Sequence, residues 1–482
     1  MERTLLHGMA LGLALIGAAA AAQTPSERSV VPAATAIAPF PRGDGESARF
    51  TASATAVTRA LNLCAGLWQA GLPPDIIERD LNGRDPSYGR LPEPLETTID
   101  HDARTITARY LADMPPRIVA WRPVLGCVQL PVGAGVEAVR HLPQVPPGFR
   151  APDLDHRAWP TGDTGARRTL PAAQDAALRK VVDAAFDASA YGGYSWGVVV
   201  VKGGHIVAER YAPGFGPHIG SQTHSAAKSF TATIAGIAIR RGLVDLHRSG
   251  LLREWRRPAD PRSSITLEHL LRMSSGLYIG GVRSVFKDIY TQGAPVADLA
   301  ATNFLDSVPG ARFAYSPADT MLIMRAIREA LGDDAAFLRL PYEALYWKIG
   351  MTRTTSNGDW NGDIFGSGQT WSTARDFARF GLLYLRDGVW EGERILPEGW
   401  ARYVATRGPA QPATGPGYGA QFWIHGGRDG LPPDAFTPQG GQGHFAMIIP
   451  SADVVIVRRG FDQAEHFAID RFCADILAAI GS

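Results

Sequence analysis

The placement of its strand-like runs constrains this chain's fold more than any other feature. Gly197-Val198-Val199-Val200-Val201 and Gly204-His205-Ile206-Val207-Ala208-Glu209-Arg210-Tyr211, joined through Lys202-Gly203, read as a hairpin. A second pair, Phe445-Ala446-Met447-Ile448-Ile449 and Asp453-Val454-Val455-Ile456-Val457, lies near the C-terminus, and a helical period from Ala464 to Ile480 follows it. Another helical stretch, near Ala172 to Ala188, precedes the first pair, and a long section of helices and loops separates the two. Strands at both ends of a helical middle predict one antiparallel sheet flanked by helices, an α+β fold with a mostly helical insertion.

Ahead of this unit, Arg3, the apolar run Leu5 to Ala19 and Ala20-Ala21-Ala22 predict a cleavable secretory signal over residues 1–22. The apolar part falls short of the roughly 20 residues that span a bilayer, so no lasting membrane anchor is expected. Residues 23–47, rich in Ala, Pro, Ser and Gly, read as a linker. Residues 48–135 read as a small N-terminal domain, with helical spacing from Ala56 to Leu72 and strands at Thr105–Tyr110 and Arg117–Trp121. Prolines then cluster between Leu142 and Pro171, so 136–171 reads as a second linker before the main domain, 172–482. Export, to a periplasm or the medium, allows disulfides. Of the three cysteines, Cys64 and Cys127 are expected to pair, while Cys473 falls on the apolar side of the closing helix as a buried thiol.

With 48 basic against 47 acidic residues and no run of one sign, neither a nucleic-acid surface nor a polybasic membrane patch is expected. The absence of CxxC and HExxH leaves a zinc site without support. A small molecule or a peptide-like substrate is the expected partner, and nothing in the sequence speaks to oligomeric state.

Three serines compete as a nucleophile. Gly193-Tyr194-Ser195-Trp196-Gly197 matches the GxSxG elbow, which lifts a serine where a strand turns into a helix. Here the order is reversed: a helix precedes the motif and a strand follows. Ser284-Val285-Phe286-Lys287 has SxxK spacing but no apolar helix behind it. Ser225-Ala226-Ala227-Lys228 does run on into an apolar helix-forming stretch, Ser229 to Ala238. Three residues along a helix place Lys228 on the face of Ser225, one turn away. A neutral lysine can take the proton from a serine hydroxyl, and both desolvation and the helix dipole favour the neutral form. An ordinary N-cap serine beside a surface lysine is the alternative.

Further segments weigh on that choice. Ile265-Thr266-Leu267-Glu268-His269-Leu270-Leu271-Arg272-Met273-Ser274-Ser275-Gly276-Leu277, Pro309-Gly310-Ala311-Arg312-Phe313-Ala314-Tyr315-Ser316, Gly350-Met351-Thr352 and Gly366-Ser367-Gly368 ahead of Ser372 to Gly381 resemble the class C β-lactamase and D,D-peptidase superfamily. The N-terminal region with Cys64 and Leu125-Gly126-Cys127, and the stretch Ala208 to Gly214, are similar to a branch of nylon-oligomer hydrolases and esterases. The resemblance implies a covalent acyl-enzyme, with Ser225 as nucleophile, Lys228 as base and Tyr315 as the second proton-transfer group, and no cofactor. Its second motif is Tyr-x-Asn, and Tyr315-Ser316-Pro317 keeps only the tyrosine. Its third, Lys-Thr-Gly or His-x-Gly, falls on Gln439-Gly440-Gly441-Gln442. The backbone amides of Ser225 and Gln442 would form the oxyanion hole. Gln439, Gly440 and Gly441 would hold substrate, with His444 a candidate to replace the missing cationic group. Pro317 and Gln439 stand where groups that grip a β-lactam are usual, so the expectation is an esterase or amidase with weak or no β-lactamase activity. A D,D-peptidase or β-lactamase, and a non-catalytic binding or sensing protein of the same fold, are the alternatives.

Overall fold

The computed structural model describes residues 44–82, 96–279, 293–462 and 466–481. The expected signal, linker residues 23–43 and the SxxK copy at Ser284 lie outside the described residues. Helix α1 (Asp44–Ala65) takes up the remainder of that linker. It is followed by an antiparallel sheet of β1 (Glu96–Asp100), β2 (Thr105–Arg109), β3 (Arg117–Arg122) and β4 (Gly126–Gln129) in sequence order.

The larger sheet is built from β5 (Ser195–Lys202), β6 (His205–Tyr211), β7 (Gln439–Gly440), β8 (His444–Ile449) and β9 (Val454–Gly460), extended by three two-residue strands. Across it the order is Gly417–Tyr418, Trp423–Ile424, Phe436–Thr437, β8, β9, β5, β6, and β7 pairs with β8. The two hairpins expected from opposite ends of the sequence therefore meet at the centre, where β9 pairs antiparallel with β5 and Ile456 lies opposite Val200. All pairings in this sheet are antiparallel.

Why β5 reads as unbroken valine follows from what covers it. Val199 and Val201, with Ile448, Val455 and Val457, join the core shared with helices α3 (Ala227–Arg240), α4 (Pro317–Leu331) and α5 (Ala374–Leu385). Val198 and Val200, with Met447 and Ile456, face the opposite layer, made of α2 (Ala172–Ala184) and α6 (Ile469–Ile480). A strand buried on both faces has no solvent side on which a polar residue could alternate. Helix α5 lies close enough that a Cβ on Gly381 would stand 2.5 Å from Val455 Cγ1. Cys473 is fully buried in α6, and burial pushes its thiol well up. The first two residues of its expected span, 464–465, lie outside the described residues, and 466–468 are not helical, the Ala468 amide being committed to the Tyr191 carbonyl at 2.8 Å.

Residues 136–171 differ from the expected linker. Val139, Leu142 and Trp159 are buried in the main core, and the Arg379 guanidinium donates to the carbonyls of Pro160 (2.7 Å) and Gly162 (2.8 Å). The prolines mark extended backbone laid on the core rather than a free spacer. The N-terminal sheet and α1 likewise pack with Trp196, Trp371 and Phe461, and residues 48–482 form one compact unit. Cys64 of α1 and Cys127 of β4 are joined by a disulfide. Among the described residues no helix is long and apolar enough to cross a membrane.

The disulfide closes a separation of 63 residues. Replacing both cysteines by serine is expected to lower the unfolding free energy by roughly 2–4 kcal/mol. Denaturant unfolding of the double variant measures this, and an unshifted midpoint would contradict it.

Candidate active site

The segment preceding α3 sets the site. After a short strand at Ser221–Gln222 the chain makes a single tight turn, His224–Ala226, and enters α3 at Ala227. Ser225 lies in this turn, and His224 before it has φ of +48°, a conformation that costs a residue with a Cβ. One turn on, the Lys228 amine donates to Ser225 Oγ at 3.2 Å and to the Ser367 carbonyl at 2.8 Å. The second acceptor is available because Gly366-Ser367 runs against α3. The Thr231 hydroxyl donates to the Gly366 carbonyl at 2.8 Å, and a Cβ on Gly366 would come within 2.4 Å of Thr231 Oγ1.

Lys228 is 1% exposed, and burial depresses its pKa to about 7. At neutral pH a large fraction of this lysine is therefore uncharged, as a proton acceptor must be. Burial, then the charges of Arg459 and Lys228, push His224 down to about 4, and burial brings Arg459 to about 9.

Tyr315 stands over the lysine, with 4.9 Å between Lys228 Nζ and its ring centroid. Tyr418 meets it edge-on at 5.9 Å, and Trp423 lies against it at 5.6 Å. The proline in place of the second motif's asparagine has a local cause: Pro317 is the first residue of α4, where a missing N–H costs nothing and a fixed φ helps.

The other wall is β7 and the turn after it. A Cβ on Gly440 would lie 2.1 Å from the Thr223 carbonyl oxygen and 3.1 Å from the Ala226 nitrogen, so only glycine lets β7 abut the nucleophile turn. Gln442 follows with φ of +64°. Its carbonyl accepts from the Asp462 amide at 3.2 Å, while Arg458 donates to the Gly443 carbonyl at 2.9 Å and to Asp462 at 2.7 Å. This buried ion pair fixes the turn from beneath. Ser225, Tyr315, Gln439, Gly440, Gly441 and Gln442 all line one cleft of about 570 Å³.

Two sequence candidates stand elsewhere. His444 is fully buried and does not line that cleft. Its ring stacks on His224 at 5.2 Å, and its Nδ1 accepts from the Gly460 amide at 3.4 Å. Its side chain packs beneath the nucleophile turn, so the expected substrate contact is corrected to a supporting one. The GxSxG serine is spent inside the fold: Ser195 Oγ donates to the Ala185 carbonyl at 2.6 Å and accepts from Arg458 Nε at 2.9 Å.

No motif pointed to His425, Arg428 and Asp470, yet all three line the cleft. His425 Nδ1 is bonded to Asp470, its Nε2 faces Gln439 Oε1 at 3.0 Å, and Arg428 Nε donates to the second Asp470 oxygen at 3.0 Å. Burial would raise the Asp470 carboxyl, but bonds from His425 and Arg428 outweigh it and hold the carboxyl low.

Comparison with known proteins bears on the family and the fold. The family model described as Beta-lactamase matches residues 178–458. The chain belongs to the Beta-lactamase family. A 6-aminohexanoate-dimer hydrolase from Paenarthrobacter ureafaciens is 25% identical over 299 residues, 54% of this chain and 71% of that protein. A Bacillus anthracis structure, provisionally named a 6-aminohexanoate-dimer hydrolase, shares 22% identity and a TM-score of 0.52, covering 71% of this chain and 88% of its own. A family VIII carboxylesterase structure has 16% identity and a TM-score of 0.51, with 65% and 98% covered. The structural likenesses establish the β-lactamase-like fold, and this member of the family is a hydrolase of the serine type.

The Arg458–Asp462 pair yields a test of how the cleft wall is held. Both side chains are at most 3% exposed. Asp462→Ala would leave the guanidinium buried and without its carboxylate, a loss of about 3–5 kcal/mol. Denaturant unfolding reads it, and a change within ~0.5 kcal/mol, typical of a surface position, would contradict it.

Proposed function

We propose that the protein hydrolyses a small linear ester or amide through an acyl-enzyme on Ser225. The observation that carries this reading is the buried Lys228 amine, 3.2 Å from Ser225 Oγ, with a pKa lowered by burial to about 7. Neutral Lys228 takes the serine proton as Oγ attacks the substrate carbonyl. The backbone amides of Ser225 and Gln442 donate to the oxyanion. Tyr315, beside the amine, passes the proton to the leaving group, and water then releases the acyl chain by the reverse route. No metal or organic cofactor enters these steps.

Ester or amide turnover ahead of β-lactam turnover is supported by two residues. Pro317 is buried in the first turn of α4 and has no side-chain amide to offer a substrate carbonyl, and Gln439 supplies no charge where a lysine or histidine is usual. The relatives named as a 6-aminohexanoate-dimer hydrolase and a carboxylesterase are consistent with that choice. The expected export of the chain agrees with the disulfide, since a periplasm or the medium preserves one.

Ser225→Ala and Lys228→Arg are each expected to lower kcat/KM on an activated ester by about 10²–10⁴-fold, because arginine fits the charge but cannot lose its proton. A fluorophosphonate probe followed by peptide mapping should label Ser225 alone. Undiminished turnover in Ser225→Ala, or label on another serine, would overturn the reading.

A further inference from the structure

Resting on the acyl-enzyme reading, we infer that Arg459 and Gln222 are positioning residues for the reaction, which tie the nucleophile turn to the segment holding Lys228 and so set the distance between serine and base. Neither lines the cleft. Arg459 stands on β9 with 3% of its surface exposed, and its guanidinium lies over the Phe377 ring at 4.4 Å. All its hydrogen bonds go to the two residues that lead into the turn. Nε donates to Ser221 Oγ at 3.0 Å, and Nη2 donates to the same Oγ and to the Ser221 carbonyl, both at 2.7 Å, and to the Gln222 carbonyl at 3.0 Å. These partners are all neutral, and Nη1 has none among the described residues. A buried cation without a counter-charge is expensive, and an apolar side chain of similar volume often costs less. What arginine adds is a rigid fork that fixes two consecutive residues at once.

Gln222 carries the tie onward. Its Nε2 donates to the Gly368 carbonyl at 3.1 Å, an orientation set by the partner, since a carbonyl oxygen can only accept. The preceding carbonyl, that of Ser367, is the one that accepts from Lys228 at 2.8 Å. Backbone pairing reinforces the link: Gln222 lies opposite Trp371, and the Thr223 amide donates to the Thr370 carbonyl at 2.7 Å. The Lys228 amine therefore spans the two tied segments, with Ser225 Oγ on one and Ser367 on the other, and a slip between them would alter its 3.2 Å contact with the nucleophile. The turn needs this restraint. His224 is held at φ of +48°, and such a conformation persists only where the surroundings over-determine it. Its ring is stacked on His444 from beneath, and Gly440 closes on it from the side.

Saturation kinetics of Ser225 phosphonylation by a fluorophosphonate test the inference in Gln222→Met, Arg459→Lys and the double variant. Methionine keeps the length of glutamine without its donor, and lysine keeps the charge of arginine without its fork. Each single variant should lower the maximal rate about 10- to 100-fold, the effect of a small misplacement of reacting groups. The probe concentration giving half that rate should stay at the wild-type value, because neither residue lines the cleft. The double variant should fall little further than the worse single one, as members of one linkage do. Wild-type maximal rates, losses carried by the half-saturating concentration, or single losses that multiply in the double variant would each overturn the inference. Gln222 is partly exposed, so Gln222→Met decides alone should Arg459→Lys fail to fold. Absence of label on Ser225 in the wild-type protein would instead overturn the acyl-enzyme reading itself.

Discussion

A lysine amine held out of water against a serine hydroxyl is the constraint on which the rest of this structure depends. Lys228 is costly to bury as a charge, and the fold meets that cost by giving its amine two acceptors, Ser225 Oγ and the Ser367 carbonyl, and by letting the amine become neutral. Everything close by serves the same end. Helix α3 is apolar along most of its length because it runs through the main core, Gly366 is small so that its neighbour's carbonyl can reach the amine, and Gly440 is small so that β7 can close the opposite side. A site that excludes water strengthens each hydrogen bond made in it.

The scaffold explains how such a site stays in register. Strands from distant parts of the chain pair at the centre of the sheet, and covering both faces leaves them no freedom to slip. The same central strand, β9, carries Arg458 and Arg459. The first reaches beneath the Gln442 turn, and the second donates to Ser221 ahead of the nucleophile turn, so one strand supports both walls of the cleft.

Much of this was legible in the sequence, and what was not has a physical reason. The two hairpins could be read because β-rich apolar runs of strand length are local signals, and Ser225 with Lys228 because one helical turn relates them. The disulfide between Cys64 and Cys127 was likewise legible from position. His444 misled, since a histidine beside a glycine-rich turn gives no sign of which side of the strand it takes, and here it packs on His224 under the site. The prolines of 136–171 misled in a similar way, because proline signals extended backbone and says nothing of what that backbone lies against. His425 and Asp470 escaped notice altogether. They lie 45 positions apart, and they meet where α6, which shares a buried layer with β5, β8 and β9, begins beside the His425 loop.

The central claim is that a neutral, buried Lys228 activates Ser225. The most direct test is the second-order rate of Ser225 phosphonylation by a neutral fluorophosphonate as a function of pH, which reports the nucleophile alone and needs no knowledge of the substrate. The rate should climb as pH rises through about 7 and then level off, because deprotonation of Lys228 creates the base. A rate that is flat across neutral pH, or that rises only in the range of an ordinary lysine, would contradict the account.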